Sequence, residues 1–166
     1  MIKSLLSKSL VLFTATCLCS LLSAEDEDVV LLKPGDPLPS FEAKDQHEQD
    51  FPMAEDTEYL FVTFDMGTGK RANKYFADKG ADWLPENNAV FLSNIYGMPG
   101  IGRAFALPKM RKYPHRIMLA DEEGLLDSYP TEKSMVTVFK LDAGKTISEI
   151  AFWDPRKGGP PLVDEK

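Results

Sequence analysis

The stretch FVTFDMGTGKR, residues 61–71, runs from a strand-like apolar segment through two glycines into a pair of cations. Several phosphate-binding loops begin this way. A P-loop needs G-x-x-x-x-G-K followed by Ser or Thr, because backbone amides wrap the phosphates and the hydroxyl holds magnesium. Here Phe64 stands five places before Gly69, and Arg71 follows Lys70, so both requirements fail. What remains is a strand that enters a turn and then a helix. Tyr59 to Phe64 is a nearly unbroken apolar and β-branched run, which suits a strand covered on both faces. After the glycines, Ala72, Tyr75, Phe76 and Lys79 recur at helical spacing, which predicts a helix over 70–79 with Gly80 placed to stop it.

The unit then repeats. Ala89 to Ile95 reads as a second strand, the turn Tyr96-Gly97-Met98-Pro99-Gly100 follows, and Ile101, Ala104, Phe105 and Leu107 set out a second helical pattern. Pro108 predicts that this helix is short or kinked. His115 to Ala120 reads as a third strand. Met135 to Leu141 and Thr146 to Phe152 flank Asp142-Ala143-Gly144-Lys145, a turn that predicts an antiparallel hairpin. Before the first core strand, Phe41 and Phe51 bracket a polar bend at Asp45 to Gln49, read as a short capping hairpin. Two βα units and a terminal hairpin predict an α/β domain with a mixed sheet, whose right-handed crossovers bring both helix N-termini to one sheet edge.

At 166 residues the chain predicts one compact domain. Lys3 and Lys8, an apolar run from Leu10 to Leu22, and the small residues Ser23 and Ala24 read as a secretory signal peptide cut near Ala24. The run is short for a membrane span and the acidic Glu25 to Asp28 follows it. The expected organisation is therefore a signal peptide over 1–24, an acidic flexible N-terminus over 25–32, a domain over 33–153 and a Pro/Gly-rich charged tail over 154–166, extended or disordered rather than helical, in an exported, periplasmic or secreted protein. Lipoprotein processing at Cys17 or Cys19 is the competing reading, but Thr14 and Thr16 stand where its recognition sequence wants leucine. Both cysteines lie inside the segment expected to be removed, which leaves no thiol for a disulfide, a nucleophile, zinc ligation or a dithiol couple. A formal charge of −7, more acidic once Lys3 and Lys8 are gone, disfavours nucleic acid and anionic membrane surfaces as partners.

The order of elements, together with the entry segment Pro34-Gly35-Asp36-Pro37-Leu38-Pro39-Ser40-Phe41, resembles the thioredoxin-like superfamily over roughly residues 33 to 152, in particular secreted members of peroxiredoxin and thioredoxin-like reductase type. The resemblance implies a thioredoxin-like three-layer α/β fold: a mixed central sheet, flanking helices, an N-terminal hairpin and a terminal antiparallel hairpin. The closing helix of that fold has no counterpart after Phe152. In such proteins the first core strand leads into a cysteine at the start of the first helix, where this chain has Met66-Gly67-Thr68-Gly69. A cis-proline ordinarily opens the hairpin strand, and Val136 stands in its place; Pro114 is the less well aligned alternative. The chain thus looks like a cysteine-less, periplasmic type of this superfamily, for which thiol-disulfide oxidoreductase or peroxidase activity is not expected.

Two candidate sites follow. Thr68, Gly69, Lys70 and Arg71 at the first helix start, with Arg103 brought alongside from the second, are a candidate cleft for a small anionic ligand, because helix N-terminal amides and cations attract negative groups. The plain reading is that these are solvated first-turn residues. Tyr96, Gly97, Met98 and Pro99, with Val136, form a candidate docking loop for a protein partner; its plain reading is an ordinary connection. No catalytic residue, metal ligand set or cofactor is expected: His47 and His115 have no paired spacing, and no G-x-G-x-x-G follows a strand, so a flavin-linked oxidoreductase has no motif support. The expected function is a binding or accessory module, and the alternative is an enzyme or small-molecule binder that uses the anionic cleft.

Overall fold

The computed structural model describes residues 29–161 and residue 163; the signal-peptide reading, both cysteines and the acidic run before Val29 lie outside them. The elements in chain order are β1 (Lys44–Asp45), β2 (Tyr59–Thr63), α1 (Met66–Lys79), α2 (Trp83–Glu86), β3 (Ala89–Asn94), α3 (Gly100–Met110), β4 (Met118–Ala120), β5 (Val136–Leu141) and β6 (Ile147–Trp153). They form one sheet in the order β1-β4-β3-β2-β5-β6. β2 pairs with β3 in parallel from Tyr59 opposite Ala89 to Thr63 opposite Ser93, and β3 pairs in parallel with β4. β5 joins β2 antiparallel, β6 joins β5 antiparallel, and β1 closes the far edge against β4. The α/β class, the mixed sheet, the capping hairpin and the terminal hairpin all stand as the sequence implied.

Alternation along the strands divides the core in two. Phe61, Phe91, Val136, Val138 and Trp153 face one side with Ala72 and Phe76 of α1, Leu84 of α2 and Met110 of α3. Leu60, Val62, Leu92, Met118, Phe139 and Ile147 face the other, where Leu38, Leu126 and Tyr129 cover them. This explains the unbroken apolar runs of β2 and β3, since both faces of a central strand are buried. All three helices contribute to the first face. The second is covered by irregular chain, from the entry segment and from the crossover between β4 and β5, so the third layer carries no helix.

Three local differences from the sequence reading have clear causes. The helix predicted over 70–79 starts at Met66, because the Asp65 side chain caps it and draws the glycines into its first turn. Gly80 ends it as expected, at φ +105°, with its N–H donating to the carbonyls of Phe76 and Ala77. α2 was not foreseen: four residues containing Pro85 leave no periodicity to read. The tail, read as extended or disordered, folds back as far as the described residues go. Trp153 Nε1 donates to the Gly158 carbonyl at 2.9 Å, and Arg156 pairs with Asp154 at 2.8 Å. Among the described residues no helix follows β6. Trp153 instead packs edge-on to Tyr75 at 4.8 Å and to Phe61 at 6.0 Å.

Candidate functional site

The start of α1 is built around Asp65. Its backbone is extended, at φ −134° and ψ 154°, and its carboxylate accepts from the Thr68 amide at 2.8 Å and from the Thr68 hydroxyl at 2.6 Å. Arg71 then donates from Nη2 to Thr68 Oγ1 at 3.0 Å and to the Ser134 carbonyl at 3.3 Å, tying the helix start to the loop before β5. Burial acts to raise the Asp65 pKa, but the hydrogen bonds from Thr68 and Gly67 and the charge of Arg71 outweigh it and hold the carboxyl below the usual range. The helix N-terminus is thus already occupied by an internal anion.

This geometry separates the predicted residues. Thr68 is completely buried, Gly69 is buried, and Arg71 is committed to Thr68 and Ser134. Arg103 makes a two-pronged pair with Asp121 at 2.5 and 2.6 Å and donates to the Ile95 carbonyl at 3.2 Å. Arg71 and Arg103 therefore do not converge on a free anion position. Lys70 is exposed. In the loop, Tyr96 is exposed, Gly97 takes φ +73°, Met98 is half-buried and Pro99 precedes the first turn of α3. Val136 has no exposed surface, so its side chain belongs to the core and offers a partner nothing.

Beside the capped helix start lies a groove of about 460 Å³, between α1, the end of β3 and α3. Its walls carry Met66, Ile95, Met98, Phe105 and Met110, Ser93 and Asn73 also line it, and Lys70, Lys74 and Lys109 are the basic residues of its lining. Of the predicted residues Gly69, Lys70 and Met98 line it. Lys74, Phe105 and Lys109 were missed, although the apolar pattern of α3 was visible. That pattern is only partly spent on the core: Met110 is buried and Leu107 packs against the core half-buried, while Ile101 is 75% and Phe105 68% exposed.

Behind the groove, Asn73 donates to the Gly69 carbonyl at 2.8 Å and meets His115 Nε2 at 3.0 Å. His115 is buried between the rings of Tyr113, Phe76 and Phe91, and burial pushes its pKa down to about 4. It is neutral near pH 7, and the bond to Asn73 Oδ1 places the proton on Nε2. Its Nδ1 has no hydrogen-bond partner among the described residues. No three His, Asp or Glu side chains come together as a metal site among those residues.

No protein-family model matches the chain, and no curated protein sequence does. Among solved structures it is similar to a thio-disulfide isomerase from Thermus thermophilus, at 18% identity over 73% of this chain and 87% of that one, with a TM-score of 0.48. It is similar also to a peroxiredoxin-like protein from Aquifex aeolicus, at 12% identity over 75% and 78% with a TM-score of 0.49. A third is the thioredoxin domain of a thiol-disulfide oxidoreductase from Bacteroides vulgatus, at 13% identity over 72% and 88%, TM-score 0.49. The chain's own sheet, parallel β4-β3-β2 continued by antiparallel β5 and β6, is mixed and ends in an antiparallel hairpin, as the thioredoxin-like resemblance implied.

Proposed function

We propose that this chain is an exported thioredoxin-fold protein without thiol redox chemistry, which acts as a binding module through the groove between α1 and α3 and the adjoining loop Tyr96–Pro99. The observation that carries the reading is the pairing of a closed helix start with an open neighbour. A thiol mechanism needs an accessible thiolate at the helix N-terminus. Here that position holds a threonine hydroxyl with no exposed surface, which donates to Asp65 and accepts from Arg71, and the only cysteines in the sequence are Cys17 and Cys19. The one acceptor of that hydroxyl is the Asp65 carboxylate, a weak base because its pKa is held below the usual range, and the hydroxyl has no exposed surface to meet a substrate, so nucleophilic chemistry is not supported either.

Binding needs less. A largely apolar concavity with a few placed polar groups is the usual form of a ligand site, and exposed Met66, Tyr96, Ile101 and Phe105 cluster on the segments around it. Export is supported by Lys3, Lys8, the Leu10–Leu22 run and Ser23-Ala24. The test has two parts. The secreted protein should begin at Glu25 by N-terminal sequencing, and it should neither reduce insulin disulfides nor consume peroxide. Turnover in either assay that a single substitution in this chain abolishes would overturn the reading.

A further inference from the structure

We propose that the groove between α1 and α3 holds the aliphatic tail of a soluble amphiphilic anion, a fatty-acyl carboxylate, with Lys70 and Lys109 receiving the head group. This rests on the binding-module reading and names its ligand class. The charge distribution is the first argument. Arg103, Arg111, Arg116 and Arg156 are each paired with a carboxylate, as is Lys74 with Asp78 at 2.7 Å. Lys70 and Lys109 make no ion pair among the described residues, and both line the same groove on a protein whose formal charge is −7. Among the described residues the only carboxylate lining that groove is Asp65, which is occupied by Thr68. A cationic ligand would meet the unpaired Lys70 and Lys109 here, whereas an anion would meet one carboxylate whose hydrogen bonds are already made within the protein.

The walls supply the second argument. A simple phosphate or small dianion wants a ring of converging donors, and this groove offers mainly carbon: Met66, Met98 and Met110 with Ile95 and Phe105. Methionine walls adapt to a flexible chain because each thioether has several low-energy shapes. Met66 is 47% and Phe105 68% exposed, so a tail lying between α1 and α3 covers apolar surface that the fold itself leaves wet. The polyanionic alternative, nucleic acid, is opposed by the net charge.

The test uses the mature chain with the neutral dye Nile red as reporter. Phe105→Asp should abolish dye binding while leaving the melting temperature nearly unchanged, since Phe105 is mostly exposed. Dodecanoate below its micellar concentration should displace the dye at least about tenfold more effectively than dodecanol or dodecyltrimethylammonium, and each added methylene should tighten binding about threefold. The double variant Lys70→Glu, Lys109→Glu should lose about tenfold in dodecanoate affinity and leave dodecanol unaffected. Equal displacement by all three amphiphiles, or indifference to the double variant, overturns the proposal. So does binding to phosphatidylglycerol vesicles without binding of monomeric dodecanoate. If the dye binds in a Phe105-dependent way but dodecanoate does not compete, the anion inference fails and the groove reading stands; if no dye binds, both fall.

Discussion

α1 and α3 leave the same sheet edge on the same face, yet they are built to opposite standards. α1 buries Thr68, Gly69, Ala72, Asn73 and Phe76, its first turn is capped by Asp65, and its Arg71 is tied to Ser134. α3 is an amphipathic helix of eleven residues with only Met110 buried, no side-chain cap, and Pro108 inside it to remove one backbone donor. The sheet edge where the resemblance places redox chemistry is the tightly finished one. The open surface lies beside it, on the helix that gives the core Met110 and, in part, Leu107. At the start of α1 the Asp65 carboxylate, the Thr68 hydroxyl and Arg71 Nη2 are turned on one another, while on α3 Ile101 and Phe105 stay wet.

The sharpest way to break this contrast is to truncate one aromatic from each helix's surroundings. Phe61, fully buried beneath α1, should cost about 3–5 kcal/mol as Phe61→Ala, whereas exposed Phe105→Ala should stay within about 0.5 kcal/mol. Chemical denaturation measures both, and similar losses would show that α3 is a core element after all.

A second test uses His115, packed under α1 against Asn73, Tyr113, Phe76 and Phe91 with the Gln46 side chain donating to its carbonyl. Its folded pKa of about 4 lies below the ordinary 6.5, so between those values the unfolded chain binds the proton and the native one does not. Stability should therefore be full above about pH 6.5 and fall by on the order of 2–3 kcal/mol as pH drops toward 4. Denaturation midpoints at pH 7.5 and pH 5 check the slope, and His115→Gln should flatten it. Below that window Asp45, Asp65 and Asp154, all held below the usual carboxylate range, add their own acid lability.

Smaller again is the cap. Asp65→Ala removes the acceptor of the Thr68 amide and hydroxyl and should destabilise by about 1–2 kcal/mol. Asp65→Asn should recover part of this, because a side-chain carbonyl still accepts. If Asp65→Ala is neutral in a melting experiment, the helix start is not the closed structure described.

Much of the fold was legible in the sequence and much of the candidate site was not, for one physical reason. Strands β2 and β3 announced themselves as continuous apolar runs, and the β5–β6 hairpin by Asp142-Ala143-Gly144-Lys145, because these are local signals. The glycines at 67 and 69 read as a turn, while the Asp65-to-Thr68 cap that makes them helical depends on where one carboxylate points. In α3, periodicity gave the apolar face through Ile101, Phe105 and Leu107 but could not say whether anything covers it. Lys70 and Lys109 lie on different helices and meet only through the fold, and the Arg103–Asp121 pair that removes Arg103 from the expected cleft is equally non-local.

The most direct measurement is NMR of the protein labelled at its methionine methyl groups, titrated with dodecanoate. Met66, Met98 and Met110 line the groove, whereas Met118 is buried in the core on the opposite face of the sheet. The account predicts saturable shifts at the first three with Met118 unmoved. Shifts confined to methionines outside the groove, or none at any concentration below the micellar limit, would contradict it.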